Sequence, residues 1–99
     1  MNYFFDWDPA KEQQNIRKHR VSFRQAATVF YDPNQLSIYD EEHSMEEERW
    51  ITIGIDGSGV LRLVVHTFEQ ADEFSCNIRI ISARKATSNE VQQYEEMNL

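Results

Sequence analysis

Cationic and imidazole side chains alternate with apolar residues in the second half of the sequence. Arg62 and His66 fall on one predicted strand, Arg79 falls on another, and Arg84 and Lys85 follow at the exit into the last predicted helix. If the apolar residues of both strands face the helices, Arg62, His66 and Arg79 share the opposite face, because side chains alternate along a strand. Guanidinium and ammonium groups bind phosphate, and imidazole transfers protons near neutral pH. The residues alone therefore indicate an anion site on a sheet, with the groups that metal-free cleavage of RNA requires.

Each of these residues also has a purely structural interpretation. Arginines on a half-solvated sheet are common surface residues, and a histidine inside a strand is more often structural than catalytic. The acidic segment 40–48 is most simply a solvated loop, although His43 within it offers a metal ligand beside carboxylates. The structural interpretation and the chemical one both remain open at this point.

Capping signals predict three helices. Asp8 followed by Pro9 indicates the start of a first helix that continues through 11–20. Ser22 with Gln25 forms a capping box for a second helix, which must end before Asp32-Pro33 because proline cannot continue it. A second capping box at Thr87 and Glu90 starts the C-terminal helix.

Alternation of apolar and polar residues predicts the strands between these helices. The predicted strands are 3–5, 35–39, 49–56, 60–68 and 74–81. The apolar faces that we expect to contact the helices are Ile51, Ile53 and Ile55 on one strand and Leu61, Leu63 and Val65 on the next. On the last strand this face is Phe74, Cys76, Ile78 and Ile80. Asp56-Gly57-Ser58-Gly59 joins those two strands as a hairpin. The order predicts an α+β domain over 1–99, with two N-terminal helices, an antiparallel meander and a C-terminal helix.

Composition excludes several classes of protein. The chain has 99 residues and a net charge of −7, and most of the excess acid lies in 40–48. Overall acidity disfavours nonspecific binding to nucleic acid, although a local basic site remains compatible with it. No apolar run approaches the ~18 residues of a membrane-spanning helix. Cys76 is the single cysteine, so an internal disulfide is excluded. With no secretory signal at the N-terminus, we expect a cytoplasmic protein.

Several segments of the sequence resemble one family in order along nearly the whole chain. The resemblance is to the BrnT family of toxins. It rests on Trp7-Asp8-Pro9-Ala10-Lys11, Asn15-Ile16-Arg17-Lys18-His19, Val21-Ser22-Phe23, His43-Ser44, Glu48-Arg49, Val64-Val65-His66-Thr67 and the run from Arg79 to Thr87.

The resemblance implies a function and partners that spacing does not show. It implies the toxin of a type II toxin–antitoxin pair, with a RelE-like fold and a ribonuclease activity that inhibits translation. The implied partners are RNA and the antitoxin BrnA. BrnA has a ribbon-helix-helix domain that binds DNA, so the toxin contacts DNA only through its antitoxin. We expect no cofactor and no metal, and a metal site at His43 and the acidic loop stays as a further alternative. Matching positions imply site roles for His66, Arg79, Arg84, Lys85 and the pair Glu48-Arg49.

One position departs from the family pattern. Family members usually carry glycine after Lys-His, where this chain has Arg20. Glycine would end the helix in the left-handed conformation, which arginine adopts less readily, so we expect the turn after the first helix to differ. Together with the charge of −7, this departure motivates an alternative, a catalytically inactive binding module that partners a DNA-binding antitoxin.

Overall fold

Strands and helices follow the predicted order in the computed structural model, which describes residues 1–43 and 47–99. The elements are β1 (Asn2–Trp7), α1 (Pro9–His19), α2 (Phe23–Ala27), β2 (Leu36–Tyr39), β3 (Trp50–Ile55), β4 (Leu61–His66), β5 (Glu69–Gln70), β6 (Ser75–Lys85) and α3 (Ser88–Met97). Short 3₁₀ turns occupy Thr28–Tyr31 and Glu41–His43. Ser44 of the family-like segments and Glu46 of the acidic segment lie outside the described residues.

Six strands in the described part of the chain form one sheet. Its order is β1-β6-β4-β3-β2, and β5 pairs with β6 beside this path. The pairs β2–β3, β3–β4 and β4–β6 are antiparallel, which confirms the predicted α+β class and its meander. The sheet is nevertheless mixed, because β1 runs parallel to β6. A parallel neighbour requires a long connection, and the chain between β1 and β6 supplies it.

Side-chain caps start the helices where the sequence predicts them. Asp8 accepts a hydrogen bond from the backbone of Ala10 at 2.8 Å, and Ser22 accepts one from Gln25 at 3.1 Å. Both halves of the capping box at Thr87 and Glu90 are present. These caps satisfy backbone N–H groups that a helix cannot pair internally.

On β3 and β4 the face that contacts the helical layer is the opposite of the predicted one, whereas on β6 the predicted residues Cys76, Ile78 and Ile80 are buried as expected. Thr52, Gly54 and Val64 are buried against the helical layer. A Cβ on Gly54 would lie 2.9 Å from Cγ1 of Val29. The 3₁₀ turn after α2 can therefore pack on β3 at this position only because glycine has no side chain. Most aliphatic residues of β2, β3 and β4 therefore occupy the other face, which we call the open face. On it lie Leu36, Ile38, Ile51, Ile53, Leu63 and Val65.

Buried Asn15 connects α1 to β6. Its Nδ2 donates to the carbonyl oxygens of Val21 at 3.1 Å and Ala83 at 2.9 Å. Its Oδ1 accepts from the backbone N–H of Ala83 at 3.0 Å. One side chain thus satisfies three buried backbone groups on two segments, which fixes α1 on the sheet.

Helix α3 is positioned by its buried tyrosine. The hydroxyl of Tyr94 donates to Oδ2 of Asp32 at 2.6 Å, and the same oxygen accepts from the N–H of Ile55 at 2.8 Å. Burial, together with this carboxylate, raises the pKa of Tyr94 to about 12. Asp32 thereby joins α3 to the end of β3.

The turn after α1 keeps the left-handed conformation, although we expected Arg20 to change it. Arg20 adopts the left-handed conformation, with φ 60° and ψ 32°, and its N–H donates to the carbonyl of Ile16. Helix α1 therefore ends in the left-handed conformation that glycine favours, although the residue at that position is an arginine. That conformation brings an L side chain too close to the backbone, which costs roughly 1 kcal/mol.

We expect Arg20→Gly to stabilise the protein by about 0.5 kcal/mol, because relief of the left-handed strain exceeds the added entropy of the unfolded chain. Urea unfolding would measure the change. Arg17→Gly is the matched control: it removes the same side chain inside α1 and should destabilise by about 1 kcal/mol. Destabilisation by both substitutions would contradict the assigned strain.

Candidate functional site on the open face

A β-bulge in β6 places two arginines on the open face. Val65 pairs with Ser82 and His66 pairs with Ile80, so one extra residue of β6 lies between these pairs. Regular alternation would separate Arg79 and Arg84 onto opposite faces, because they are an odd number of residues apart. The bulge resets the alternation and brings both to the same side.

A groove of about 850 Å³ crosses the open face. Its floor consists of the aliphatic residues of β2, β3 and β4. Arg84, Glu90, His43 and Arg49 also line it. We call it the sheet groove. It is the place where two of the predicted cationic residues, Arg49 and Arg84, line the same surface.

Arg84 is held by a carboxylate. Its two terminal nitrogens donate to the two oxygens of Glu90 at 2.8 and 2.9 Å. These hydrogen bonds lower the pKa of Glu90 to about 2 and raise the pKa of Arg84. Glu90 also accepts from the N–H of Thr87, so the helix cap and the ion pair use the same carboxylate. Glu90 thus orients the guanidinium and is itself too weak a base to take a proton near neutral pH.

Arg79 lies in a second cleft, near β1. Its guanidinium donates to the carboxylate of Glu47. Other residues that line this cleft are Phe4, Asp6, Glu48, Thr67, Phe68, Glu69 and Asn77. Arg79 and Glu48 therefore share a cleft, but carboxylates outnumber the guanidinium there. Such surroundings favour a phosphate less than those of the sheet groove do.

His66 does not share the open face with Arg79, contrary to the sequence-based expectation. It is 2% exposed and lies on the helix-packed face, with its ring 4.8 Å from that of Phe30. Its Nδ1 lies 2.8 Å from the carbonyl of Thr67, and its Nε2 lies 2.6 Å from the hydroxyl of Thr52. Burial lowers the pKa of His66. The ring thus lies inside the core with both nitrogens within hydrogen-bond distance of a partner, and burial disfavours its charged form.

Arg62 and Lys85 also lie away from the open face. Arg62 is not on the face of Arg79 as expected; its Nε donates to Oδ2 of buried Asp56 at 2.9 Å. Lys85 pairs with Arg62 in the sheet register and follows Arg84, so alternation directs it to the opposite side. The predicted site residues are therefore divided among four places: Arg49 and Arg84 in the sheet groove, Arg79 and Glu48 in the second cleft, His66 in the core, and Lys85 on the opposite face.

His43 is a functional candidate that sequence reasoning considered only as a metal ligand. Its Nδ1 lies 3.0 Å from Oδ2 of Asp40, and both residues line the sheet groove with Arg49. A carboxylate on Nδ1–H fixes the tautomer in which Nε2 accepts a proton. The i, i+3 spacing of Asp40 and His43 in a helical turn was the available signal. Within residues 1–43 and 47–99, no group of three or more acidic, histidine or cysteine side chains is placed to hold a metal.

Comparison with protein families decides the identity. A family model described as a ribonuclease toxin, BrnT, of type II toxin–antitoxin systems matches residues 7–90. This chain belongs to the BrnT family. It is therefore a BrnT-family ribonuclease toxin, as the sequence segments implied. Comparison with curated proteins gives no match.

A solved BrnT structure has a similar fold. The crystal structure of the Brucella abortus ribonuclease toxin BrnT matches with a TM-score of 0.63 at 19% sequence identity. The match covers 89% of this chain and 100% of the Brucella chain. It confirms the BrnT fold for the present member. None of the helices that the structure describes is long and apolar enough to cross a membrane.

Proposed function

We propose that this BrnT-family toxin cleaves RNA in the sheet groove without a metal ion and thereby inhibits translation. The observation that supports this proposal is that Arg49 and Arg84 line one groove on the open face together with His43. Guanidinium groups bind phosphate through paired, charge-assisted hydrogen bonds, and they stabilise the charge that develops on a pentavalent phosphate.

In the proposed reaction, Nε2 of His43 takes the proton of a ribose 2′-hydroxyl. The 2′-oxygen then attacks the adjacent phosphorus, and the bond from phosphorus to the 5′-oxygen breaks. The leaving oxygen takes a proton from solvent or from a protonated group, so the products are a 2′,3′-cyclic phosphate and a 5′-hydroxyl. Asp40 stabilises the imidazolium that forms on His43.

The other predicted site residues receive supporting roles in this proposal. Arg79 lies in the second cleft together with Glu48, and it binds a phosphate further along the RNA. Lys85 adds positive charge near the end of β6, and His66 supports the sheet through Thr52. We further propose that the antitoxin is BrnA-like, with a ribbon-helix-helix domain, and that DNA is contacted through it.

One observation favours a second candidate function, an inactive binding module that partners a DNA-binding antitoxin. The guanidinium groups of Arg79 and Arg84 are both bound to carboxylates, and the chain carries a net charge of −7. RNA phosphate must displace Glu47 and Glu90 to reach them. A chain in which that exchange does not occur would retain the fold without cleaving RNA.

Incubation of the purified chain with single-stranded RNA, with Mg²⁺ or with EDTA, separates these candidates. We expect cleavage with 2′,3′-cyclic phosphate ends and the same rate in both buffers, because no step uses a metal. Loss of cleavage in EDTA, restored by Mg²⁺, would overturn metal independence. Intact RNA at high protein concentration would favour the inactive binding module.

A further inference from the structure

A small aromatic cavity lies on the helix-packed side of the sheet, next to His66. We call it the aromatic pocket. Its volume is about 250 Å³, just below the roughly 300–1,000 Å³ of sites for drug-sized ligands, so it has room for one ring system. Half of its lining residues are aromatic, and the lining consists of Tyr3, Phe30, Trp50, Phe68, Gln35, Ser37, His66 and Ile78.

The pocket combines buried and exposed lining residues. Phe30, His66 and Ile78 are at most 5% exposed, whereas Phe68 is 41% exposed and Ser37 is also exposed. A ligand can therefore enter past exposed side chains and contact buried ones. Aromatic side chains bind flat rings by stacking, and proteins hold unpaired nucleobases in this way.

A chain of hydrogen bonds fixes Ser37 as an acceptor toward a ligand. The carbonyl of Thr67 can only accept, so Nδ1 of His66 carries a hydrogen. Burial disfavours the charged ring, so Nε2 accepts from the hydroxyl of Thr52 at 2.6 Å. Thr52 has then used its one hydrogen, and Ser37 donates its own to Oγ1 of Thr52 at 2.7 Å. Oγ of Ser37 is left with lone pairs only.

Gln35 offers a second acceptor. Its Nε2 donates to the carbonyl oxygens of Phe30 at 2.7 Å and Asp32 at 3.3 Å. Because carbonyl oxygens cannot donate, these contacts establish which end of the carboxamide is the nitrogen. Both amide hydrogens are used, so Gln35 can offer a ligand only its carbonyl oxygen, Oε1.

Two acceptors in an aromatic pocket match a base edge that carries two donors. The Watson–Crick edge of guanine has N1–H and the N2 amino group side by side. Adenine and cytosine have one amino group beside a ring nitrogen that accepts, and uracil has one N–H between two carbonyl oxygens. The hydroxyl of Tyr3 and the indole N–H of Trp50 are donors of the kind that the guanine carbonyl requires.

The aromatic pocket adjoins the second cleft, because Phe68 lines both cavities. Arg79 lies in that cleft, and a guanidinium binds phosphate. A nucleotide whose phosphate contacts Arg79 therefore lies beside the pocket. Its base can turn into the pocket if the RNA is single-stranded, since unpaired bases are free to leave the stack.

We propose that the aromatic pocket binds a guanine base of the RNA, whose N–H groups donate to Ser37 and Gln35. Thr52 and His66 are positioning residues, because they act through the hydroxyl of Ser37. His66, which lies away from the sheet groove, thereby contributes to base selection. The assignment of the base to RNA rests on the proposed function, but the guanine pocket itself does not.

Binding of 2′-O-methyl oligonucleotides tests the pocket, because such RNA has no free 2′-hydroxyl and cannot be cleaved. The probes are a short labelled uridine oligonucleotide with one central guanine and the same sequence with adenine or hypoxanthine instead. Ser37→Ala and Phe68→Leu alter the pocket. Their matched controls are Ser88→Ala and Phe74→Leu, at exposed positions outside it. Fluorescence anisotropy measures affinity, and melting temperatures verify folding.

We expect the guanine probe to bind about 10-fold more tightly than the adenine probe, the effect of one or two hydrogen bonds. Hypoxanthine lacks the N2 amino group and should lie between them. Ser37→Ala should reduce the preference for guanine to about 3-fold. Phe68→Leu should weaken binding of all probes at least 5-fold, because it removes a stacking surface. Both controls should match the unmodified chain.

Thr52→Val tests the positioning role. The substitution keeps the shape of the side chain but frees the hydroxyl of Ser37, which can then donate as well as accept. We expect the guanine preference to narrow to about 3-fold, largely through tighter binding of the adenine probe. A purely structural role of Thr52 would alter the melting temperature and leave the ratio of the two affinities unchanged.

Four outcomes would contradict the proposal. No binding of any probe, or unchanged binding by Phe68→Leu, would overturn the pocket. Equal affinity for the guanine and adenine probes would overturn the choice of guanine. Binding of guanosine monophosphate as tightly as the guanine oligonucleotide would overturn the assignment to RNA and favour a free nucleotide. No probe is cleaved, so failure of the chain to cleave unmodified RNA would overturn the proposed function and leave the binding result intact.

Discussion

Arg84→Ala should lower the rate of RNA cleavage by about 100-fold, the usual loss when one preorganised donor to a transition-state oxygen is removed. The side chain lies in the sheet groove, and Glu90 already holds its planar donor group in one orientation. An oriented guanidinium loses little entropy when phosphate replaces the carboxylate. Single-turnover cleavage of a labelled RNA measures the change directly.

Two further variants make this result interpretable. Arg24→Ala removes the same charge from an exposed position on α2, away from the groove, and should leave the rate unchanged. Arg84→Lys keeps the charge but loses the paired geometry, so we expect an intermediate rate. The ion pair with Glu90 is partly exposed and is worth only about 1 kcal/mol to stability, so the Arg84 variants should remain folded. A nearly unchanged rate for folded Arg84→Ala would remove Arg84 from the site.

Asn15→Leu should destabilise the fold by about 3 kcal/mol, the largest effect that we expect from one polar residue here. The substitution leaves the N–H and carbonyl of Ala83 and the carbonyl of Val21 buried without the hydrogen bonds that Asn15 makes. A domain of this size is stable by only about 5–15 kcal/mol, so the loss is a large part of the total. Urea unfolding measures it.

The neighbouring residue on α1 provides the control. Gln14→Leu changes an amide to the same apolar side chain at an exposed position and should alter stability by less than about 0.5 kcal/mol. Asn15→Asp keeps the acceptor for Ala83 N–H but loses both donors, so it should destabilise as well. Similar effects of Asn15→Leu and Gln14→Leu would contradict the anchoring role. A larger loss of stability in Asn15→Leu than in Gln14→Leu would assign a structural role, and not a catalytic one, to Asn15 in the family-like segment 15–19.

The proposed RNA site in the sheet groove has acidic surroundings, because Asp40, Glu42 and Glu90 line it. Glu90 remains ionised near neutral pH because Arg84 lowers its pKa to about 2. RNA phosphate therefore competes with a charged carboxylate for the guanidinium of Arg84.

Local sequence signals were sufficient for most elements and for the family of this protein, although they missed β5 and ended the last strand at residue 81 rather than at Lys85. Caps at Asp8, Ser22 and Thr87 start helices because a side-chain oxygen next to an unpaired N–H is a local interaction. Alternation located β3 and β4, and the order of elements predicted an α+β class with a meander. The segments from Trp7 onward identified the BrnT family. A family is identified from residue types in their order along the chain, so no three-dimensional structure was needed.

Tertiary structure alone decided which face of the sheet is covered and which cations meet. Alternation defines two faces but does not show which one the helices contact. Thr52 and His66 could enter the core because they hydrogen-bond each other, and Gly54 could because its missing side chain admits Val29. The larger aliphatic residues were thereby left for the open face. The parallel pairing of β1 and the bulge that brings Arg79 and Arg84 to one side depend on contacts between segments that are distant in the sequence.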